Sequence, residues 1–316
     1  MAFSVGTLAA YTKENEALLV ASSVLGSKTA SLIKDKGNVM VGVKSAETIN
    51  IMDTDAIFQD GSSCGFTASG TTSFTQRTVT VGKIKVNEAL CLKDLEAKYL
   101  QKALPAGSSY DSMVYSEEYS KRKSEKIAEQ LEKTLWQGST ASVDVNLNKF
   151  QGITTLITAA GGSVVNANTV ANHGVVETAI TDANVVSIFD DIYKAIPAQV
   201  VDKDDISIFC GMDVFRTYTV KLKNSNLYHY QYDAKANGEF YLPGTNVKVI
   251  AVQGLNGSGK IVAARISNFF IGTDLLNEEE RFEIFYAKEA DQVRFVSEFK
   301  MGVNFAFPDE IVKFFV

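Results

Sequence analysis

Val293, Phe295, Phe299, Met301, Val303, Phe305 and Phe307 all occupy odd positions, while Arg294, Glu298, Lys300 and Asn304 occupy even ones. A period of two puts successive side chains on opposite faces of a strand. Sustained over about 15 residues, it predicts one strand of about 50 Å, whereas strands in globular proteins usually have about five or six residues. Such a strand needs partners of comparable reach, and two other segments are long enough.

Residues 47–92 are rich in Thr, Val, Ile and Phe among clusters of Gly and Ser. They predict an extended β-hairpin with a loose polar tip around Gly61 to Thr72. A two-stranded ribbon makes no core of its own, so it must lie on another part of this chain or on a second copy. After a short helix predicted over Leu92 to Ala103, a longer one is predicted from Met113 to Gln137. Tyr115, Tyr119, Ile127, Leu131 and Leu135 share one face of it, and Lys121, Arg122, Lys123, Glu129, Glu132 and Lys133 form an exposed charged side. Its length is about 36 Å, and Gly138 reads as a left-handed stop. Long strand, long hairpin and long rod describe an elongated block suited to tiling.

Residues 1–46 hold a short helical stretch near Tyr11 to Val24 and then polar residues, with little capacity to bury themselves; they read as an arm awaiting a partner surface. Residues 150–273 alternate between helix and strand. Asp182 is the expected cap of a helix ending before Pro197. Asp205 to Cys210 reads as a buried strand and Met212 to Lys223 as a helix, and Tyr241 to Val252 leads into a β-hairpin, with Asn246 to Val252 strand-like. The fold class is α+β, with a compact α/β unit inserted between peripheral segments.

Gly254-Leu-Asn-Gly-Ser-Gly259-Lys260 spells most of a phosphate-binding P-loop. That chemistry needs a hydroxyl after the lysine to hold Mg²⁺ and a helix beginning there. Ile261 has no oxygen to offer, and both flanks are strand-like, so the stretch is expected to be the turn of a β-hairpin.

The net charge of −6 argues against a general nucleic-acid binder. No apolar run approaches the roughly 20 residues of a membrane helix, and the first residues predict no secretory signal. Cys64, Cys91 and Cys210 are scattered, as are His173 and His229, so neither a metal site nor a catalytic cysteine is predicted, and the sparse thiols fit a reducing compartment. Asp202, Asp204 and Asp205 form the densest acidic cluster and read as a solvated turn. No catalytic, cofactor-binding or metal-binding residue is assigned, and no enzymatic activity or cofactor is expected.

The order of these elements resembles the major capsid protein of tailed bacteriophages, the Hong Kong 97 fold family. Several stretches carry the likeness: TQRTVTVGKIKVNEALCLKDLE, EKIAEQLEKTLWQGS followed by FQGI, DISIFCGMDVFRTY, LPGTNVKVIAVQGL, and the closing run from ISNFFIG to FPDEIV. The resemblance implies an N-terminal arm (1–46), an extended loop (47–92), a peripheral domain with a spine helix (93–149), an axial domain (150–273) and a return to the peripheral domain (274–316). It implies a virion protein that is assembled in the host bacterial cytoplasm and self-associates into pentamers and hexamers of an icosahedral shell around double-stranded DNA. Partners would be further copies, a separate scaffolding protein or lost prodomain, a portal and decoration proteins, with DNA met non-specifically and no membrane. The alternative within the same fold is a bacterial nanocompartment (encapsulin-type) shell. The lysine, asparagine and acid of the family's covalent cross-link are not placed here, so no cross-linking is expected. On this resemblance, Phe66 and Phe74 are candidate apolar anchors between subunits. Arg77 and the run Glu278, Glu279, Glu280 are candidates for charge pairing between subunits.

Overall fold

The computed structural model describes residues 13–61, 65–66, 68–91, 112–225, 238–274, 281–290 and 292–316. The helix expected over Leu92 to Ala103, Cys64 and His229 lie outside them. The helices are α1 (Glu16–Leu25), α2 (Lys28–Asp35), α3 (Ser112–Gln137), α4 (Ile153–Ala160), α5 (Val170–His173), α6 (Val185–Ala195) and α7 (Met212–Asn224). The strands are β1 (Val39–Val41), β2 (Ala46–Thr54), β3 (Thr72–Thr80), β4 (Gly82–Cys91), β5 (Val165–Asn166), β6 (Ile206–Gly211), β7 (Glu239–Tyr241), β8 (Lys248–Val252), β9 (Lys260–Arg265), β10 (Phe269–Thr273), β11 (Arg281–Ala287), β12 (Gln292–Phe305) and β13 (Val312–Phe315).

The period-two tail is the 14-residue strand β12. Along one edge it pairs antiparallel with β4 from Gln292 to Met301. The other edge takes β11 as far as Glu298 and then β10 from Met301 onwards. Its odd residues enter the main core with Leu19, Val24, Ile127, Leu131 and Leu135. The even face is only partly polar surface, which corrects the simple alternation. Arg294 is exposed, but Lys300 and Asn304 are buried because the root of the β2–β3 ribbon crosses over them. Asn304 Nδ2 donates to the Thr78 carbonyl at 2.7 Å, and Lys300 Nζ meets Asp274 Oδ2 at 2.9 Å.

The spine helix α3 runs along this sheet with Ile127, Leu131 and Leu135 buried, as their spacing requires. Two details differ from the sequence reading. Glu132, expected on the charged exposed side, is buried; its carboxylate accepts from the Thr29 backbone N–H at 3.0 Å and from the Thr29 hydroxyl. Gly138 is not left-handed. Its value is its missing side chain, because a Cβ there would lie 2.7 Å from the Phe150 carbonyl where the chain folds back past Gly152.

The N-terminal segment is also corrected. Its described part does bury itself on its own subunit: Leu19, Val20, Val24, Ala30 and Ile33 all lie in the main core. Beyond the helices, β1 pairs parallel with β10. The first short helix packs on α3 and β11, and the second packs on β10 and α3.

The central sheet has the order β5-β13-β9-β6-β8-β7. One face, including Phe209, Val252 and Val262, joins the main core under Trp136. The other, including Ile206, Ile208 and Val249, packs with Val185, Ile188 and Phe189 of α6 and with Val214 and Tyr218 of α7. β6 is buried at all six positions, Ser207 included, because the sheet is covered on both faces. Asp182 does not cap α6; Asn184 occupies the N-cap and its side chain accepts from the Thr181 backbone N–H at 2.7 Å. The strand-like stretch Asn246 to Val252 holds β8, and a turn that Leu242 N–H closes on the Val247 carbonyl at 2.9 Å leads into it. Residues 274–316 do not return wholly to the peripheral sheet, since β13 pairs with β9 and β5 of the central one.

β8 and β9 are not a hairpin. β6 lies between them, parallel to β8 and antiparallel to β9, so residues 253–259 step across the end of β6. Sequence proximity suggested pairing. β6, buried along its whole length, holds the place between them.

Candidate inter-subunit surfaces

The ribbon is nine residue pairs long, from Ala46↔Thr80 to Thr54↔Thr72. Only its root is covered. Ile49, Ile51 and Val79 form a small cluster with Ala306, supported by Met40 and Phe270. Farther out both faces are open, and the tip is fastened by its own side chains: Thr54 and Thr72 hydroxyls at 3.0 Å, Gln76 to Asn50 at 2.8 Å, and Gln59 to Ser69.

That outer part is not polar. Phe58 is 98% exposed, Phe66 94%, Phe74 75% and Met52 61%, with Ile57 beside them. Large apolar groups standing together in water are the signature of a surface meant to be covered. The charge is equally one-sided: between Lys44 and Arg77 the sequence has Glu47, Asp53, Asp55 and Asp60 but no lysine or arginine. Of the anchors expected from sequence, Phe66 and Phe74 stand on this open surface. Met52, Ile57 and Phe58 were missed, although Ala56-Ile-Phe58 in an otherwise polar tip was a readable signal.

Arg77 sits elsewhere. Its guanidinium carbon lies 4.2 Å from the centre of the Phe305 ring of its own chain, and burial holds its pKa below the usual arginine value. It fastens the ribbon root by a cation–π contact. Glu278, Glu279 and Glu280 lie outside the described residues.

The motif at 254–260 is an internal junction. Gly257 and Gly259 have positive φ, and β9 rather than a helix follows them. Asn256 Oδ1 accepts from the Met212 N–H at 2.6 Å, and Gly257 N–H donates to Asp213 Oδ2 at 2.9 Å, which ties the turn to the start of α7. Gly254 lies directly against α3, where a Cβ would strike the Glu132 carbonyl and the Trp136 ring. Gln137 Nε2 donates to the Gly254 carbonyl at 2.6 Å. Lys260 is turned inward, its Nζ 5.2 Å from the Phe315 ring centre, and burial lowers its pKa. Lys260→Met keeps the volume and gives up one long hydrogen bond to the Thr154 hydroxyl (3.4 Å), so it is expected to change unfolding free energy by less than about 1.5 kcal/mol. Titration with a fluorescent ATP analogue should show no saturable binding to either protein; micromolar binding lost in the variant would contradict this assignment.

Other polar clusters are structural. Asp205 is the member of the acidic trio with partners: it accepts from Arg265 Nε at 3.0 Å and from the Ser267 hydroxyl, which hold its carboxyl below the usual range against the opposing effect of burial. Asp202 and Asp204 are exposed. His173 packs edge-on to Phe314 with Nδ1 2.7 Å from Asp191. Cys210 is buried and free, and burial raises its thiol pKa far out of the reactive range. Among the described residues no group of His, Cys, Asp and Glu is placed to hold a metal ion, and no helix is long and apolar enough to cross a membrane.

No protein-family model and no curated protein matches the sequence. Solved structures do match the fold. The satellite phage P4 procapsid with its size determination (Sid) protein aligns at TM-score 0.61 and 10% identity, over 94% of this chain and 89% of that one. The capsid of a native GTA particle aligns at 0.58 and 15% identity, over 92% and 91%. Gordonia phage Cozz aligns at 0.57 and 8% identity, over 90% and 86%. The chain has the Hong Kong 97-like capsid fold, from the N-terminal helices through the central sheet to β13.

Proposed function

We propose that this chain is the major capsid subunit of a tailed bacteriophage. Its copies close into pentamers and hexamers and then into an icosahedral shell around double-stranded DNA. The observation that carries this reading is the uncovered ribbon: nine pairs of strand ending in exposed Phe58 and Phe66, on a fold shared with shell subunits over nearly its whole length. A heterologous contact, in which each subunit offers the ribbon and receives its neighbour's, is the arrangement that generates closed rings. Two of the solved structures named above are a procapsid and a capsid, which supports a structural role. They come from phage and GTA particles, which favours this reading over a bacterial nanocompartment.

Partners beyond further copies follow from the same reading: a separate scaffolding protein, a portal, decoration proteins and the packaged DNA, within a virion assembled in the host cytoplasm. The net charge of −6 fits a wall that does not hold DNA tightly, since phosphate binding grows with lysine and arginine contacts.

The test is electron microscopy of the overexpressed protein, alone and with a co-expressed scaffold candidate. Regular shells or capsomer rings are expected. A chain that stays monomeric at every concentration, with and without scaffold, overturns the reading.

A further inference from the structure

Every strand of the peripheral sheet except β1 is hydrogen-bonded to β12. Among the described residues β4 and β11 have no other strand partner, and without β12 the strand β10 keeps only its pairing with β1. The central sheet repeats the arrangement on a smaller scale. β13 lies between β5 and β9, and β5 has no other strand partner among the described residues. Both interior strands fall within residues 292–315, after every strand they join. A chain is synthesised from its N-terminus, so each sheet waits for a strand that is made later than its neighbours.

The chain as far as Ala287 therefore holds two unequal halves. In the central half β9-β6-β8-β7 remain a paired run, with α6 and α7 packed on one face, so backbone partners and much of a core are already present. The peripheral half lacks both. The apolar faces of α1 and α3 are buried in one cluster with Val293, Phe295, Phe299, Met301, Val303 and Phe305 of β12. Packing of such a face, rather than intrinsic propensity, supplies most of a helix's stability. The ribbon depends on the same strand. Its root is fastened to the end of β12 by Asn304 on the Thr78 carbonyl, by Arg77 over the Phe305 ring, and by the cluster of Ile49, Ile51 and Val79 with Ala306.

We infer that residues 292–315 are a closing strap. The central strands fold first, the spine helix, the N-terminal helices and the ribbon stay unplaced until β12 enters the peripheral sheet, and β13 then joins the two sheets. The strap acts as a timing device. The ribbon and the sheet that carries it take up their positions in one step, and only in a chain translated past residue 315. A subunit that meets many copies of itself would thereby keep its ribbon unplaced until it is released; that consequence alone rests on the capsid-subunit reading.

The exposed turn at residues 288–290, between β11 and β12, gives the test, because it can take an inserted protease site in the full chain. Cut there after folding, the two pieces should co-elute in gel filtration, with α3 and β4 as protected from hydrogen exchange as in the uncut chain. The cut chain should also refold from denaturant when its pieces are kept together. With the 290–316 piece removed, slow exchange should return to β6, β8 and β9, whereas α3 and β4 should exchange at least about 100-fold faster than in the intact chain. Returning the piece should restore them. A second variant separates the strap from chain loss in general: residues 53–73 replaced by Asn-Gly remove a comparable length from the uncovered ribbon and should leave α3 protected. Slow exchange in α3 and β4 without the 290–316 piece overturns the proposal. So does loss of that protection in the ribbon variant, and so does a returned piece that fails to restore it while the unseparated pieces refold. None of these outcomes decides the capsid reading, which microscopy of the intact chain tests.

Discussion

Replacing Phe58 and Phe66 together by serine is expected to leave the subunit folded and to abolish shell formation at concentrations where the wild-type chain assembles. Both rings are more than 90% exposed in the single subunit, so their removal takes nothing from its core. The melting temperature should move by no more than about 1 °C, since surface substitutions away from structural features stay within about 0.5 kcal/mol. In the shell the same rings are covered. Burying a phenylalanine is worth about 1.5–3 kcal/mol, so losing two removes about 3–6 kcal/mol from each ribbon contact. Each 1.4 kcal/mol is a factor of ten, and the lower bound already raises the assembly threshold by more than about 100-fold. Static light scattering against concentration measures that threshold. Shells forming at the wild-type concentration would mean that the tip is not an assembly surface.

The opposite outcome on folding would be equally informative. A double variant that unfolds would show that the rings find cover within their own subunit, which contradicts their exposure. The assembly defect and the folding defect are therefore separable in one protein, by scattering and by thermal unfolding.

Much of the architecture was written in periodicity, because periodicity reports which face is buried. Val293 to Phe305 announced β12, Ile127-Leu131-Leu135 announced the side of α3 that meets it, and the largely apolar run Ile206 to Cys210 announced a buried strand. What periodicity cannot report is what lies on top. Lys300 and Asn304 carry the polar half of the alternation yet are buried, because the ribbon root crosses them from a distant part of the chain. Neighbour order is hidden for the same reason. β8 and β9 follow one another closely in sequence, but both pair with β6, which lies far upstream at Ile206–Gly211. The exposed ribbon tip was legible in kind, since a two-stranded ribbon must seek cover. Its anchor Phe58 was signalled only by the short apolar run Ala56-Ile-Phe58 in a polar loop, which has no period to read and so was passed over.

Glu132 is the residue whose character sequence most disguised, and its replacement should give the largest loss of stability. It sits among Lys121, Arg122, Glu129 and Lys133 on what reads as a solvated helix face, yet it is 3% exposed. No lysine or arginine pairs with it among the described residues. It is held by hydrogen bonds instead. The Thr29 backbone N–H and hydroxyl both donate to its carboxylate, and the Thr29 oxygen accepts from Trp136 Nε1 at 2.8 Å. Thr29 is the second residue of α2, where backbone N–H groups lack helical partners and the helix dipole favours a negative charge. The carboxylate therefore does the work of a cap supplied from another helix, joining the N-terminal segment to the spine. Next to it, Ser27 caps the same helix through the Ala30 N–H, and Lys28 reaches the Ala251 carbonyl at 3.1 Å. Three parts of the fold thus meet within one helical turn. Glu132→Ala leaves two buried donors without acceptors, each costing about 1–3 kcal/mol, and opens a small cavity beside Trp136. The expected loss is about 3–5 kcal/mol of unfolding free energy, read from denaturant titration with Trp136, the single tryptophan, as the local probe. Glu132→Gln keeps the volume but turns one acceptor into a donor facing a donor, so it should cost more than half as much. If both variants unfold within about 0.5 kcal/mol of wild type, α2 is not fastened to the spine by this residue, and the N-terminal segment is the detachable arm that its sequence first suggested.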